Sequence, residues 1–193
     1  MQDLIYEFRS YWVQPGKAPL YLRTLQKGGI AIVTRHLPLL GFWMTETGRL
    51  NVLHHLWAYE SLEERAACRA NLMADEAWVN GFIPEAFPLL QEQESRLMRL
   101  SHGSAALEAA TARRKQAVAA ASSDVPLFAE TLHCLVVGGF QAATQADIAQ
   151  FTTISGEAPG SKITITADSL LEMPCEGLLR HELIRPVAFS PLR

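Results

Sequence analysis

Charged, aromatic and histidine side chains share one face of three predicted strands in the first half of the chain. Successive side chains of a strand point to opposite faces, so residues two apart lie on the same side. This alternation groups eight residues: Glu7, Arg9, Tyr11, His55, Trp57, Tyr59, Glu94 and Arg96. Guanidinium groups bind anionic or carbonyl oxygens, and histidine exchanges protons near neutral pH. The mixture predicts a lined cavity or an interface rather than an ordinary core.

Three roles fit this polar face. In the first, Glu7 pairs with Arg96 and Glu94 pairs with Arg9 as a structural network, which oppositely charged neighbours on a sheet commonly form. In the second, Arg9 or Arg96 binds a ligand in a pocket. In the third, His55 is the candidate catalytic residue and acts as an acid or base. The residues alone favour the structural network and leave the other two roles open.

The sequence gives no support for a bound metal or cofactor. Adjacent strand residues such as His54 and His55 point to opposite faces and cannot both reach one ion. The cysteines are three in number, widely spaced and without a CxxC pair: Cys68, Cys134 and Cys175. They are expected to be ordinary buried thiols. The chain also lacks the glycine spacing of a phosphate-binding loop, so neither a metal nor a cofactor is expected.

Composition excludes several classes of partner. The chain has 193 residues, with 17 basic and 20 acidic side chains and 49% apolar residues, which is typical of a folded protein. It has no long basic run of the kind that binds nucleic acid. No apolar stretch reaches the roughly 18 to 20 residues of a membrane span, and the start lacks the basic region of a signal peptide. We therefore expect a cytoplasmic protein that does not bind nucleic acid.

The first hundred residues predict the element order βαββαβ. The expected strands are 3–13, 39–45, 50–59 and 91–100, and the expected helices are 18–36 and 61–73 with a short helix after Asp75. Gly28 and Gly29 interrupt the first helix and predict a close contact or a local break. Ser61 and Glu64 form a capping box at the start of the second helix.

This element order is the ferredoxin-like unit, an antiparallel four-stranded sheet with both helices on one face. The apolar residues Leu4, Tyr6 and Phe8 are expected to face the helices. The polar set is then expected on the other face, against a ligand or a second sheet.

The second half is less regular. Residues 101–124 are Ala-rich and predict a helical linker, on which Arg113-Arg114-Lys115 is expected to be solvated. In 125–193 the pattern predicts strands at 129–137, 162–167 and 177–186 and a helix at 145–151. We therefore expect a ferredoxin-like domain over 1–100, the linker, and a shortened or degenerate second α+β unit over 125–193.

Several short stretches of the first hundred residues form a specific set. They are Tyr6-Glu-Phe-Arg-Ser-Tyr11 followed by Pro15-Gly16-Lys17, Arg35-His36 before Gly41-Phe42, Asn51 followed by His55-Leu-Trp-Ala-Tyr59, Ser61-Leu62 with Arg65, Trp78, and Gln93-Glu-Ser-Arg96. Together they resemble the NIPSNAP family. The resemblance implies a dimeric α+β barrel, in which two ferredoxin-like sheets close against each other and a pocket lies between sheet and helices. The motif positions include Glu7, Arg9, His55, Trp57 and Tyr59.

The resemblance implies a function without an established reaction. We expect the protein to bind a small, partly apolar ligand or a protein partner. The alternative is a cofactor-independent enzyme, similar to a monooxygenase or isomerase, in which His55 removes a proton from a small aromatic or carbonyl substrate and an arginine stabilises the enolate. A third possibility is a structural oligomer whose charged face is filled by salt bridges. Some family members carry two tandem units, so either the two halves pair within one chain or the protein forms a homodimer.

Overall fold

Eight antiparallel strands close into a barrel in the computed structural model, which describes residues 4–139, 142–167 and 177–193. The strands are β1 Ile5–Val13, β2 Leu39–Thr45, β3 Val52–Tyr59, β4 Leu90–Gly103, β5 His133–Gly138, β6 Asp147–Ser155, β7 Lys162–Thr166 and β8 Leu178–Pro186. Their order around the barrel is β1-β3-β2-β8-β5-β7-β6-β4. Closure leaves these strands without an open sheet edge.

Each half of the chain contributes four strands in the same ferredoxin-like order. The first half runs β4-β1-β3-β2 and the second runs β8-β5-β7-β6. At the two seams, the second strand of one half pairs with the fourth strand of the other, as β2 with β8 and β4 with β6. The predicted α+β, ferredoxin-like fold of the dimeric barrel type is therefore confirmed, with the two halves paired inside one chain.

The helices of the first half connect its strands. Between β1 and β2 lie α1 Ala18–Thr24, a π-helical segment Leu25–Gly29 and α2 Ile30–His36. Between β3 and β4 lie α3 Leu62–Met73, a π-helical segment Ala77–Phe82, α4 Ile83–Ala86 and a 3₁₀ turn Phe87–Leu89. The Ser61 cap is confirmed, since Ser61 Oγ accepts a hydrogen bond from Glu64 N at 3.2 Å, but the Glu64 carboxylate accepts from Glu60 N rather than from Ser61 N as a full capping box requires. Among the residues described, no helix has the length and apolar character needed to cross a membrane.

The two π-helical segments lie against each other at Gly29. A Cβ atom added to Gly29 would lie 2.5 Å from ring carbons of Phe82, closer than real Cβ contacts allow. At Gly28 a Cβ atom would meet nothing within 4 Å. The predicted close contact is therefore at Gly29, and a switch from α- to π-helical hydrogen bonding accompanies it.

Two hydrophobic cores lie on opposite sides of the first sheet. The barrel interior contains Leu4, Tyr6, Phe8, Trp43, Met98 and Phe151. The core between sheet and helices contains Tyr21, Leu22, Trp57, Tyr59, Trp78 and Phe82.

The prediction that Leu4, Tyr6 and Phe8 face the helices is wrong, because these side chains point into the barrel. Closure of the barrel gives the second face of the sheet its own dry core, and that core takes the more apolar set of side chains. The residues of the polar set on β1 and β3 therefore lie on the helix side.

The second half differs from its prediction in two places. The predicted helix at 145–151 is wrong, because these residues enter β6 and pair with β4 and β7. The run Phe151-Thr-Thr-Ile154 has the β-branched and aromatic residues that favour strands, and tertiary pairing at the seam outweighs the weak helical pattern before it.

The Ala-rich segment after β4 is helical over eight residues, α5 Ala105–Ala112. Leu107 and Ala110 of α5 are buried in the barrel-interior core. The charges that follow are paired rather than simply solvated: Arg114 donates to Glu60 at 3.0 Å, and Lys115 Nζ lies 2.8 Å from Glu60 and 2.7 Å from Glu64. These contacts attach the segment after α5 to the β3–α3 junction.

Candidate functional site

A cavity of about 180 Å³ lies between the helices and the sheet of the first half. Its polar lining consists of Arg9, Tyr11, His55, Arg69 and Gln93. Apolar side chains of both helical connections and the sheet form the remaining walls, including Tyr21, Val33, Phe42, Trp57, Leu72 and Trp78. Four of the eight predicted site residues therefore line one cavity: Arg9, Tyr11, His55 and Trp57.

Arg9 and His55 enter this cavity side by side. They are direct partners in the antiparallel β1–β3 ladder. Side chains of such partners leave the sheet on the same face, with Cβ atoms roughly 5 Å apart. His54 lies on the other face, where it stacks on Phe8 in the barrel. The prediction that the adjacent histidines point in opposite directions is confirmed.

The imidazole of His55 is fixed by aromatic rings and one hydrogen bond. Phe42 stacks on it with ring centroids 5.0 Å apart, and Tyr11 meets it edge-on at 4.5 Å. Trp57 Nε1 donates to His55 Nδ1 at 2.7 Å. Because an indole nitrogen can only donate, Nδ1 is the acceptor, and the neutral ring carries its proton on Nε2. That buried Nε2 has no hydrogen-bond partner among the described residues.

The electrostatics of the site keep His55 neutral. Burial lowers the pKa of His55 well below its usual 6.5, and the positive charge of Arg9 and the neighbouring His54 lower it further. At pH 7 the imidazole therefore presents an N–H donor to its surroundings. Its only lone pair on a ring nitrogen already accepts from Trp57, so His55 is poorly placed to remove a proton.

Glu7 is a fully buried carboxylate held beside the cavity by arginines. Arg65 donates to both of its oxygens, at 3.0 and 2.8 Å, while Arg69 and Ser95 donate to Oε1 at 3.2 and 2.6 Å. Arg9 Nη1 lies farther away, 3.7 Å from Oε1. Burial alone would raise the pKa of Glu7, but the hydrogen bonds from Arg65 and Ser95 and the nearby positive charges lower it below its usual value.

Arg9 has hydrogen-bonding capacity that Glu7 does not use. Its Nη2 donates to Gln93 Oε1 at 3.3 Å, and its guanidinium lies over the ring of Tyr11 at 5.2 Å from the centroid. Its Nε–H is buried and has no partner in the part of the chain that the structure describes. Arg9 and His55, which line the cavity from neighbouring strands, thus each have one buried donor without a partner among the described residues.

The remaining predicted site residues lie outside this cavity. Glu7 lies beside it, and Tyr59 is buried in the helix-side core, where desolvation raises the pKa of its hydroxyl. Glu94 and Arg96 lie on the barrel-interior side of β4, because the β1–β4 register pairs them with Ser10 and Phe8.

The predicted pairs Glu7–Arg96 and Glu94–Arg9 are therefore wrong. Arg96 instead forms ion pairs with Glu94 and with Glu157 of the loop after β6. Shifting a strand by one residue exchanges its two faces, and the sequence does not determine the register of β4 against β1.

Sequence reasoning did not assign to the site three side chains that position it, although Arg65 and Ser95 belong to the short stretches singled out above. Arg65 and Arg69 lie four residues apart on α3, so both reach Glu7 from one helix face. Their spacing is the signal in the sequence that could have identified them. Ser95 is the Cα partner of Arg9 on β4, and only the register reveals its contact with Glu7.

The barrel interior contains a second group of buried polar side chains. Ser10 Oγ lies 2.9 Å from His54 Nδ1, and Glu182 Oε2 lies 3.8 Å from His54 Nε2. Trp43 Nε1 donates to His133 Nδ1 at 3.0 Å. Within the described ranges, no three His, Cys, Asp or Glu side chains converge as they would around a metal ion.

Comparison with known proteins identifies the family. Residues 6–105, which are 100 of the 193, match the NIPSNAP family model. The chain belongs to the NIPSNAP family. Human NipSnap homolog 3A is 34% identical over 98 residues, which cover 50% of this chain and 39% of the human protein. Zebrafish NipSnap homolog 1 is 34% identical over 94 residues, covering 49% of this chain and 33% of that protein. The match thus spans less than half the length of these curated relatives.

Solved structures support the fold of both halves. A NIPSNAP family protein of unknown function from Agrobacterium tumefaciens is 36% identical, with a TM-score of 0.52, and covers 54% of this chain and 94% of its own. A putative monooxygenase from Lactobacillus acidophilus covers 96% of this chain and 93% of its own, with a TM-score of 0.50 and 8% identity. The second similarity shows that the barrel extends over both halves, and it shows the fold alone.

Proposed function

We propose that the cavity between the helices and the sheet binds a small, partly apolar ligand. The observation that carries this proposal is the Nε2–H of His55, which is buried in a residue that lines the cavity and lacks a partner among the described residues. A buried donor without a partner costs about 1–3 kcal/mol. A ligand oxygen that accepts from Nε2 would remove this cost.

The dimensions and walls of the cavity support a small ligand. About 180 Å³ is the liquid volume of roughly six water molecules, and drug-sized sites are larger, roughly 300–1,000 Å³. Val33, Leu72 and Trp78 supply apolar surface from the helices. Met73, a lining residue that is 57% exposed, lies at the solvent side of the cavity.

The geometry gives less support to the enzymatic alternative, a cofactor-independent monooxygenase or isomerase. Such a reaction needs a base in the cavity. His55 is neutral with Nδ1 engaged by Trp57, and no carboxylate is found among the described lining residues. Arg9 could stabilise an enolate, but its charge serves equally well to bind an anion without any reaction.

Native mass spectrometry of the full chain tests the binding proposal. We expect a retained small molecule, and we expect Val33→Phe, which fills the cavity, to lose it. The matched control is Ile32→Phe, which adds similar volume next to the cavity at a position that does not line it. A mass retained equally by both variants would place the ligand elsewhere. A wild-type chain that retains nothing and is not stabilised against heat by any small aromatic or aliphatic probe would contradict the proposal.

A further inference from the structure

The polar groups around the cavity are mainly hydrogen-bond donors. Arg9 and Arg69 can only donate, and His55 donates through Nε2 because Trp57 occupies Nδ1. Gln93 has an amide oxygen, which already accepts from Arg9, and the Tyr11 hydroxyl can both donate and accept. No Asp or Glu belongs to the described lining. A ligand that brings hydrogen-bond acceptors therefore finds partners here, whereas a cationic ligand finds no counter-charge.

The charge balance favours an anion over a neutral acceptor. Three guanidinium groups, from Arg9, Arg65 and Arg69, lie within 4 Å of the single carboxylate of Glu7. Arg65 holds that carboxylate through two hydrogen bonds, and Ser95 and Arg69 add two more. Arg9 lies at 3.7 Å, too far for a hydrogen bond, so its positive charge is only partly compensated.

The positions of the two unused donors suit a carboxylate. Arg9 and His55 are cross-strand partners on the same face, with Cβ atoms roughly 5 Å apart, so a head group that contacts the Arg9 guanidinium also lies beside the His55 ring. Both donors are preorganised: Tyr11 lies under the Arg9 guanidinium, and Phe42 stacks on His55. Preorganised donors give up little conformational entropy when a ligand arrives.

We propose that the ligand of this cavity is a small carboxylic acid whose carboxylate is bound by Arg9 and by His55 Nε2–H, with a compact apolar body against Val33, Leu72 and Trp78. This assignment rests on the proposed binding function and specifies its ligand class. The cavity volume of about 180 Å³ limits the apolar body to one small ring or a short branched chain.

Titration calorimetry with three matched probes tests the assignment. Phenylacetate, phenylacetamide and 2-phenylethylamine share one ring and differ in the head group. We expect the full chain to bind phenylacetate at least about tenfold more tightly than phenylacetamide, because the acid makes charge-assisted hydrogen bonds. We expect no measurable binding of the amine. Isovalerate and isovaleramide provide the same comparison with a branched aliphatic body.

Variants of Arg9 test whether this side chain causes the tighter binding of the acid than of the amide. Arg9→Met should reduce the affinity for phenylacetate to that for phenylacetamide, and Arg9→Lys should retain part of the difference. Arg49→Met is a matched control, because the Arg49 guanidinium also lies over an aromatic ring, that of Trp12 at 5.0 Å, and 3.6 Å from a carboxylate, but outside the cavity. Circular dichroism verifies the fold of each variant. If Arg9→Met does not fold, His55→Phe removes the second donor and serves the same comparison.

The outcomes separate the two proposals. Equal or tighter binding of the amide or the amine would overturn the carboxylate assignment and leave the binding function in place. A preference for acid that survives in both Arg9→Met and His55→Phe would also overturn it, because the acid would then be bound elsewhere. Failure of all five probes to bind at millimolar concentration would overturn the carboxylate assignment, and the same failure together with native mass spectra that show no retained molecule would overturn the binding function itself.

Discussion

The indole N–H of Trp57 lies 2.7 Å from Nδ1 of His55, and this one hydrogen bond determines which nitrogen of the imidazole carries its proton. The two residues are two positions apart on β3 and face the helices together. Trp57 therefore leaves His55, a residue that lines the cavity, with a hydrogen-bond donor at Nε2 and no free acceptor. The same histidine without this contact would be a plausible base, so a neighbour on the same strand decides its chemistry.

Replacement of Trp57 should release this constraint. We expect Trp57→Phe to lower the free energy of unfolding by about 1–3 kcal/mol, because Nδ1 of His55 loses its donor, and to weaken the binding of phenylacetate. Trp78→Phe removes the same volume from another wall of the cavity, and the Trp78 indole makes no hydrogen bond within the described part of the chain. Urea denaturation and calorimetry of both variants provide the comparison. Equal effects of the two substitutions would show that the hydrogen bond has no special role.

Removal of the Glu7 charge should destabilise the whole site. Glu7→Gln keeps the shape of the side chain but leaves three arginines without their common carboxylate. We expect a loss of about 3 kcal/mol in the free energy of unfolding, at the lower end for a buried charge because Arg65 and Arg69 reach solvent. Glu85→Gln on the exposed side of α4 should stay within about 0.5 kcal/mol of the wild type. A Glu7 variant as stable as this control would show that the cluster contributes nothing to folding.

Acid should destabilise the protein through its buried histidines. Burial lowers the pKa of His54, His55 and His133, in the last case to about 4, whereas the unfolded chain titrates near 6.5. Below pH 6.5 the unfolded state therefore binds more protons, and stability falls as the pH drops toward the folded-state values. Each histidine contributes at most about 1.4 kcal/mol per pH unit in this range.

Urea denaturation at pH 7.0 and pH 5.5 measures this dependence. We expect a lower free energy of unfolding at pH 5.5, with a shallower pH dependence in His133→Gln, whose amide oxygen can still accept from Trp43 but does not titrate. Stability that is constant or higher at pH 5.5 would contradict the assignment of these three histidines as buried and neutral.

The paired glycines of the first helical connection should respond in opposite ways to alanine. At Gly29 the added methyl group meets the Phe82 ring at 2.5 Å, so Gly29→Ala must separate the two π-helical segments, at about 1–3 kcal/mol. At Gly28 the space is open, so Gly28→Ala should stabilise the protein by up to about 1 kcal/mol through helix propensity. Thermal denaturation of the two variants is sufficient to decide. A stabilised Gly29→Ala variant would show that the segments separate freely.

The sequence determined the strand faces of β1 and β3 but not their surroundings. Alternation correctly separated Tyr6 and Phe8 from Glu7 and Arg9. It could not show which set meets the helices, because both faces of this sheet are dry once the barrel closes. That closure depends on the pairing of β2 with β8 and of β4 with β6. The residue pattern of β1 or β3 alone does not reveal this pairing.

Long-range register limited the prediction of the site most strongly. Glu94 and Arg96 have the right residue types for a binding site, but the pairing of Phe8 with Arg96 turns them into the barrel. The residue pattern at the start of β6 fits a helix as well as a strand. This segment is a strand because it pairs with β4. Local features were predicted better, since the Ser61 cap and the close contact at the glycine pair depend on neighbouring residues.

The most direct test of the account is the protonation state of the His55 ring. Long-range ¹H–¹⁵N correlation spectra of protein with ¹⁵N-labelled histidine, assigned with the His55→Phe variant, distinguish a protonated from an unprotonated ring nitrogen. At pH 7 the account predicts a protonated Nε2 and an unprotonated Nδ1, with an Nε2 resonance that shifts when phenylacetate is added and not when 2-phenylethylamine is added. A proton on Nδ1, or an Nε2 resonance that does not respond to saturating phenylacetate, would contradict it.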